Sequence, residues 1–140
     1  MDISIRELNL DQLRDALTLV WRVFSHYEGV NYTEEEKKAF FNAIHDEKYL
    51  KELCSYGAFL QDILIGIIAT RNNLSHIALF FVDEEYQNMG VGRMLWNKVR
   101  KESTAPIIRV HSSIYAKEVY KKHDRRGRNP IYTHDIQYSG

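Results

Sequence analysis

The stretch from Ser75 to Glu102 limits the possible folds of this chain more than any other part. Ser75-His76-Ile77-Ala78-Leu79-Phe80-Phe81-Val82 is an apolar run with β-branched and aromatic residues, and Asp83-Glu84-Glu85-Tyr86 is a short acidic turn. Gln87-Asn88-Met89-Gly90-Val91-Gly92 then brings two glycines, and the residues from Arg93 to Arg100 have helical spacing. The spacing predicts a strand, a tight loop, and a helix whose N-terminus is bare of bulky side chains. Such a terminus offers backbone N–H groups without intrahelical partners and the positive end of a dipole worth roughly half a charge. Glycine has no Cβ to hold a ligand away, so the natural guest is a phosphate or pyrophosphate. Two familiar phosphate loops are excluded: no third glycine completes G-x-G-x-x-G, and no Gly-Lys-Ser/Thr follows.

Composition narrows the remaining classes. A chain of 140 residues suits one domain, residues 1–140, with one core. Nineteen basic residues balance nineteen acidic ones, so no global field favours nucleic acid or an anionic membrane. Cys54 is the single cysteine, without an intrachain disulfide partner or a CxxC mate, and reads as a half-buried small residue. No His/Cys/Asp/Glu group has metal-ligand spacing, so no metal is expected. No apolar run approaches the ~20 residues of a membrane span, and the N-terminus lacks a signal-peptide pattern; the expectation is a cytoplasmic protein with no membrane partner.

In chain order, Ile3 and Ile5 alternate with polar residues as a first strand. A helix follows, capped by Asn9 or Asp11, with Leu13, Ala16, Leu17, Val20, Trp21 and Phe24 on one face. Trp21 and Phe24 therefore read as core. Thr33 and Glu36 form a capping box for a second helix, and Tyr49–Leu53 is a further helical piece. Tyr56–Leu60, Ile63–Ala69 and the strand from Ser75 make three successive strands, which predicts an antiparallel meander. After the glycine-opened helix come a strand at 106–111, a short helix over Tyr115–Lys122 and a last strand over Ile131–Tyr138.

The hexapeptide Gln87-Asn88-Met89-Gly90-Val91-Gly92 fits Q-x-x-G-x-G and resembles the acetyl-CoA signature of the GCN5-related N-acetyltransferases (GNAT). The apolar strand, acidic residue and aromatic just before it match as well, and the element order agrees over roughly Ile3 to Lys122. The resemblance implies an α/β (α+β) fold, a mixed, mostly antiparallel sheet with helices on both faces. It also implies that the motif strand and the strand at Ile107–His111 begin parallel and splay, leaving a wedge for the pantetheine of acetyl-CoA. Phe81 and Val82 would then pair with the pantetheine, and one strand N–H would polarise the thioester carbonyl. Gln87, Asn88, Met89, Gly90, Val91, Gly92 and Arg93 would surround the pyrophosphate. Ser113 and Tyr120, on the helix after the splayed strand, would complete the cofactor site.

The reaction so implied is direct acetyl transfer from the thioester to a primary amine, which makes three demands. The amine must be neutral although a lysine-like amine has a pKa near ~10.4, the oxyanion needs a preorganised donor, and the thiolate gains from an acid. The resemblance puts Tyr120 in the acid's place. His76, whose side-chain type titrates near neutral pH, and Glu28 are the candidates for a base. Glu28, Tyr32 and His76 are the candidates for the acceptor pocket. The acceptor is a small-molecule amine or a peptide or protein amine.

The chain departs from the family after Lys122, where a Gly-Phe pair is replaced by His123-Asp124-Arg125-Arg126-Gly127-Arg128. The closing C-terminal hairpin is shortened, through natural shortening or a frame change; the cations are a solvated turn or a patch for an anion such as the CoA 3′-phosphate. A shortened hairpin leaves a sheet edge that suits a homodimer. Two other classes remain: a non-catalytic CoA or acyl-CoA sensor, and a nucleic-acid binder using Lys117–Arg128. The balanced charge argues against the latter.

Overall fold

The computed structural model describes residues 2–27, 32–110 and 131–132. The first strand, β1 (Ile3–Leu8), leads into α1 (Leu10–Tyr27). Of the two possible caps, Asn9 is the one used: its Oδ1 accepts from the N–H of Gln12 at 2.8 Å, and Gln12 Oε1 accepts from the N–H of Asn9 at 2.9 Å. The expected box at α2 (Glu34–Ile44) is present, with Thr33 Oγ1 accepting from Glu36 N and Glu36 Oε1 accepting from Thr33 N. Asp46 caps the short α3 (Glu47–Lys51).

The meander follows as β2 (Cys54–Leu60), β3 (Ile63–Arg71) and β4 (His76–Val82), then α4 (Val91–Glu102) and β5 (Ile108–Val110). A two-residue β6 (Ile131–Tyr132) begins where the last strand was expected. The described sheet runs β1-β2-β3-β4-β5-β6, antiparallel through β4 and parallel from β4 to β6. The helix expected over Tyr115–Lys122 lies outside the described residues.

Both sheet faces are covered, as the apolar composition of β3 and β4 requires. On one face α1, α2 and α3 pack over Ile67, Ala69, Leu79 and Phe81; on the other α4 packs over Ile65, Ile68, Ile77, Phe80 and Val82. The first face is aromatic: Phe24 stacks on Phe40 at 4.1 Å, and Phe40 reaches Phe81 at 6.4 Å. Phe24 is core as expected, whereas Trp21 is only partly buried.

A period-two strand would put Ile77 and Leu79 on the same face, yet they lie on opposite ones. The register explains this. Ala69 pairs with Leu79 and Thr70 with Ile77, so Ala78 is an extra residue, a β-bulge that resets the alternation halfway along β4.

Candidate active site

The C-terminal end of β4 leads into the glycine loop through a turn that is fixed from three directions. Asp83 N–H donates to Ile65 O at 2.8 Å, and Asp83 Oδ1 accepts from the N–H of Glu85 at 2.9 Å. Asp83 Oδ2 accepts from Arg22 of α1 at 2.6 Å, and the same guanidinium reaches Glu84 at 3.0 Å. Arg22 was not among the residues singled out from sequence; its place in an amphipathic helix gives no sign of a partner more than sixty residues away.

Gln87 closes the loop onto the strand, with Nε2 donating to Val82 O at 3.0 Å. Asn88 takes a left-handed backbone, and Gly90 does so at φ 85° as N-cap of α4, without a side-chain cap. A Cβ on Gly90 would meet nothing within 4 Å, so its requirement is conformational, not steric. The first intrahelical bond runs from Met94 N to Gly90 O at 3.0 Å. The N–H groups of Val91, Gly92 and Arg93 thus precede it and have no intrahelical acceptor. A Cβ on Gly92 would lie 3.6 Å from Phe80, an ordinary contact, so packing does not demand glycine there either. A left-handed Gly90 with open space around it, followed by unclaimed helix donors, fits a pyrophosphate.

Gly66, unremarked in the sequence, sets the height of this helix. A Cβ there would come within 3.0 Å of Val91 and 3.1 Å of Leu95, so the bare backbone of β3 is what lets α4 lie close to the sheet.

Which groups β4 offers to a neighbour follows from its ladder. Antiparallel pairs alternate between hydrogen-bonded and non-bonded. The bond from Asp83 N to Ile65 O extends the Gly66–Val82 register by one bonded pair, so Ile67–Phe81 and Ala69–Leu79 are bonded pairs too. Phe80 and Val82 therefore turn their backbone groups toward the β5 side, while those of Phe81 are committed to β3. This corrects the expectation for Phe81: its ring packs against Phe40 and its backbone faces away from the wedge. Among the described residues, β5 pairs with β4 only at His76–Arg109 and Ile77–Val110, so no described strand lies beside Ala78–Val82.

Of the other residues expected to act, His76, Tyr32 and Met89 are among those described. His76 begins β4, six residues before Val82, or about 20 Å at the strand rise. Tyr32 is buried at 9% exposure and edge-on to Phe24 at 4.9 Å, so its ring joins the aromatic core. Met89 is exposed in the loop. Glu28, Ser113 and Tyr120 lie outside the described residues. A groove of about 730 Å³ on the outer side of α1 and α2, lined by Arg14, Trp21, Arg22, Phe41 and His45 among others, contains none of the candidate site residues; Trp21 was expected in the core. No group of three metal-ligating side chains occurs among the described residues, and none of their helices is long and apolar enough to cross a membrane.

Comparison with known proteins agrees with this geometry. The chain resembles the PaiA N-acetyltransferase of Thermoplasma acidophilum, solved in complex with coenzyme A, at 23% identity and TM-score 0.61 over 72% of this chain and 71% of the other. It resembles a GCN5-related N-acetyltransferase structure from Rhodopseudomonas palustris at 22% and 0.73 over 87% and 82%. It also resembles the apo form of YjaB from Escherichia coli at 20% and 0.69 over 88% and 82%. No functionally curated protein matches the sequence significantly. A sequence profile described as an acetyltransferase (GNAT) domain matches residues 29–130. That span takes in α2, the meander, the glycine loop and β5, and the chain belongs to the GNAT family as a GNAT-type N-acetyltransferase.

Proposed function

We propose that this chain binds acetyl-CoA along the β5-side edge of β4 and transfers its acetyl group directly to a primary amine. The observation carrying this reading is a succession of backbone donors: Val82 on the β5-side edge of β4, then the N–H groups of Val91, Gly92 and Arg93 behind the left-handed Gly90. The helix terminus holds the pyrophosphate. Val82 N–H aligns the pantetheine as a neighbouring strand would, and an N–H of the same edge polarises the thioester carbonyl. Val82 O is already engaged by Gln87, which keeps the loop against the strand.

The resemblance supports Tyr120 as proton donor to the departing thiolate, Ser113 as a further contact to the cofactor, and Glu28 as a group that accepts the amine's proton directly or through water. The acceptor itself is a small-molecule, peptide or protein amine. A homodimer and a cytoplasmic location belong to the same reading.

The test is calorimetric titration with acetyl-CoA, followed by measurement of free CoA thiol on addition of a panel of amines. Saturable binding with amine-dependent thiol release is expected. A folded protein that does not bind acetyl-CoA overturns the reading. Binding without release for any amine reduces it to a CoA-binding module. Tyr120→Phe should slow release; an unchanged rate removes Tyr120 from the mechanism.

A further inference from the structure

At the opposite end of β4 from the glycine loop, three basic residues stand side by side on adjacent strands. Arg71 of β3 pairs with His76 of β4, and His76 pairs with Arg109 of β5. Residues directly opposite each other share a face. Ile108 and Val110 are buried on the α4 side, so Arg109, between them, points to the α1–α3 side, and Arg71 does so too, with its guanidinium 6.0 Å from the ring of Tyr49. Two strand spacings put the Arg71 and Arg109 backbones about 10 Å apart, close enough for both side chains to converge on one group.

The two arginines of the row differ from Arg6, Arg14 and Arg22 in their partners. Among the described residues, no carboxylate lies within 4.0 Å of Arg71 or Arg109, whereas Arg6 has one and Arg14 and Arg22 have two each. Arg71 Nε is buried without a hydrogen-bond partner. A buried guanidinium N–H without an acceptor is costly. Tyr49 is no counter-ion: burial pushes its phenol up, against the pull of Arg71, so it stays neutral. Glu52 is near enough to influence Tyr49 but makes no ion pair with Arg71.

We infer that Arg71 and Arg109, with His76 between them, form a subsite for a carboxylate carried by the acceptor, so that the enzyme prefers acidic amines. The phosphates of the cofactor are excluded as its occupant, since the glycine loop is about 20 Å away along β4. The inference rests on the proposed acetyl transfer for its link to an acceptor. His76 to Phe80 spans about 13 Å of strand, so the carboxylate lies several residues' length from the amine, as in a short acidic peptide and not in a simple α-amino acid.

The experiment compares two peptides with free N-terminal amines, Ala-Ala-Asp-amide and Ala-Ala-Asn-amide, which differ in one charge. Each is titrated into the protein saturated with CoA, and each is assayed with acetyl-CoA for thiol release. The Asp peptide should bind and turn over at least about tenfold better. In Arg109→Gln, a change at an exposed position, that ratio should fall toward one; Arg71→Gln should do the same if it folds. Equal binding of the two peptides, or a ratio unchanged in Arg109→Gln, overturns the inference. Absence of thiol release with both peptides counts against acetyl transfer, and the binding ratio still decides the subsite.

Discussion

The two ends of β4 present anion-binding chemistry in opposite ways. At the C-terminal end, the donors are backbone N–H groups of Val91, Gly92 and Arg93, held by Gly90 at φ 85° and by the Gln87–Val82 bond. At the N-terminal end, they are side chains that three separate strands bring into register: Arg71, His76 and Arg109. The first site is contiguous in sequence and owes little to side-chain charge. The second exists only once the sheet has formed. A backbone site suits a ligand that is always the same, because glycine geometry tolerates little variation. A side-chain site can change its preference by a single substitution. The proposed function and the proposed subsite together assign the constant partner, acetyl-CoA, to the loop and the variable one, the acceptor, to the row.

The largest expected effect separates the two ends. Gly90→Glu adds a Cβ at a left-handed position, at about 1–2 kcal/mol, and a carboxylate beside the pyrophosphate. Together these should cost about 3 kcal/mol, or about a hundredfold in Kd for acetyl-CoA by calorimetry. Gly90→Ala isolates the strain and should cost about tenfold. The preference of the protein for the Asp peptide over the Asn peptide should survive both. If Gly90→Glu erased that preference, the two ends would be one site, and the comparison would fail.

The same contrast explains what the sequence revealed. The loop could be read because its requirements fall on neighbouring residues: an apolar strand, Asp83 as a turn former, then glycines at a helix start. The capping box at Thr33 and the meander were legible for the same reason. Arg22 clamping Asp83, and Gly66 admitting α4, were not, since each depends on a contact between elements remote in sequence. The bulge at Ala78 was hidden too. Alternation in an all-apolar strand leaves no polar residue to mark the slip, and only the ladder shows that Phe80 rather than Phe81 turns its backbone to the β5 side. Asn9 and Asp11 both suited a cap by residue type, and only the reciprocal bonds with Gln12 distinguish them.

Gly66→Ala comes next in size. Its methyl would meet Val91 and Leu95, which are 1% and 0% exposed and have nowhere to move. Overpacking of this kind costs about 1–3 kcal/mol, readable by thermal or urea denaturation. It should also lift the N-terminus of α4 and weaken acetyl-CoA binding. A stable variant with normal affinity would show that the height of α4 does not position the loop. Gln87→Ala removes the bond to Val82 O and should cost about 1 kcal/mol, roughly fivefold in acetyl-CoA affinity. If stability falls by that amount and affinity does not, Gln87 holds the turn together without shaping the site.

Gly92→Ala is the smallest change and distinguishes two reasons for a glycine. Its new Cβ would make an ordinary 3.6 Å contact with Phe80, and no left-handed backbone is required of it. Replacing glycine by alanine in a helix stabilises by about 0.5–1 kcal/mol, and less in the first turn. Were Gly92 present only for the fold, the alanine variant should be more stable and bind acetyl-CoA normally. The reading of α4 as a pyrophosphate site expects stability to rise while affinity falls a few-fold, because the methyl stands over the N–H groups that the ligand must approach. Denaturation and calorimetry on the same variant give the two signs independently. Opposite signs mark Gly92 as a glycine kept for the ligand at a cost to the helix; a rise in both would place the pyrophosphate nearer Gly90 and away from the first turn.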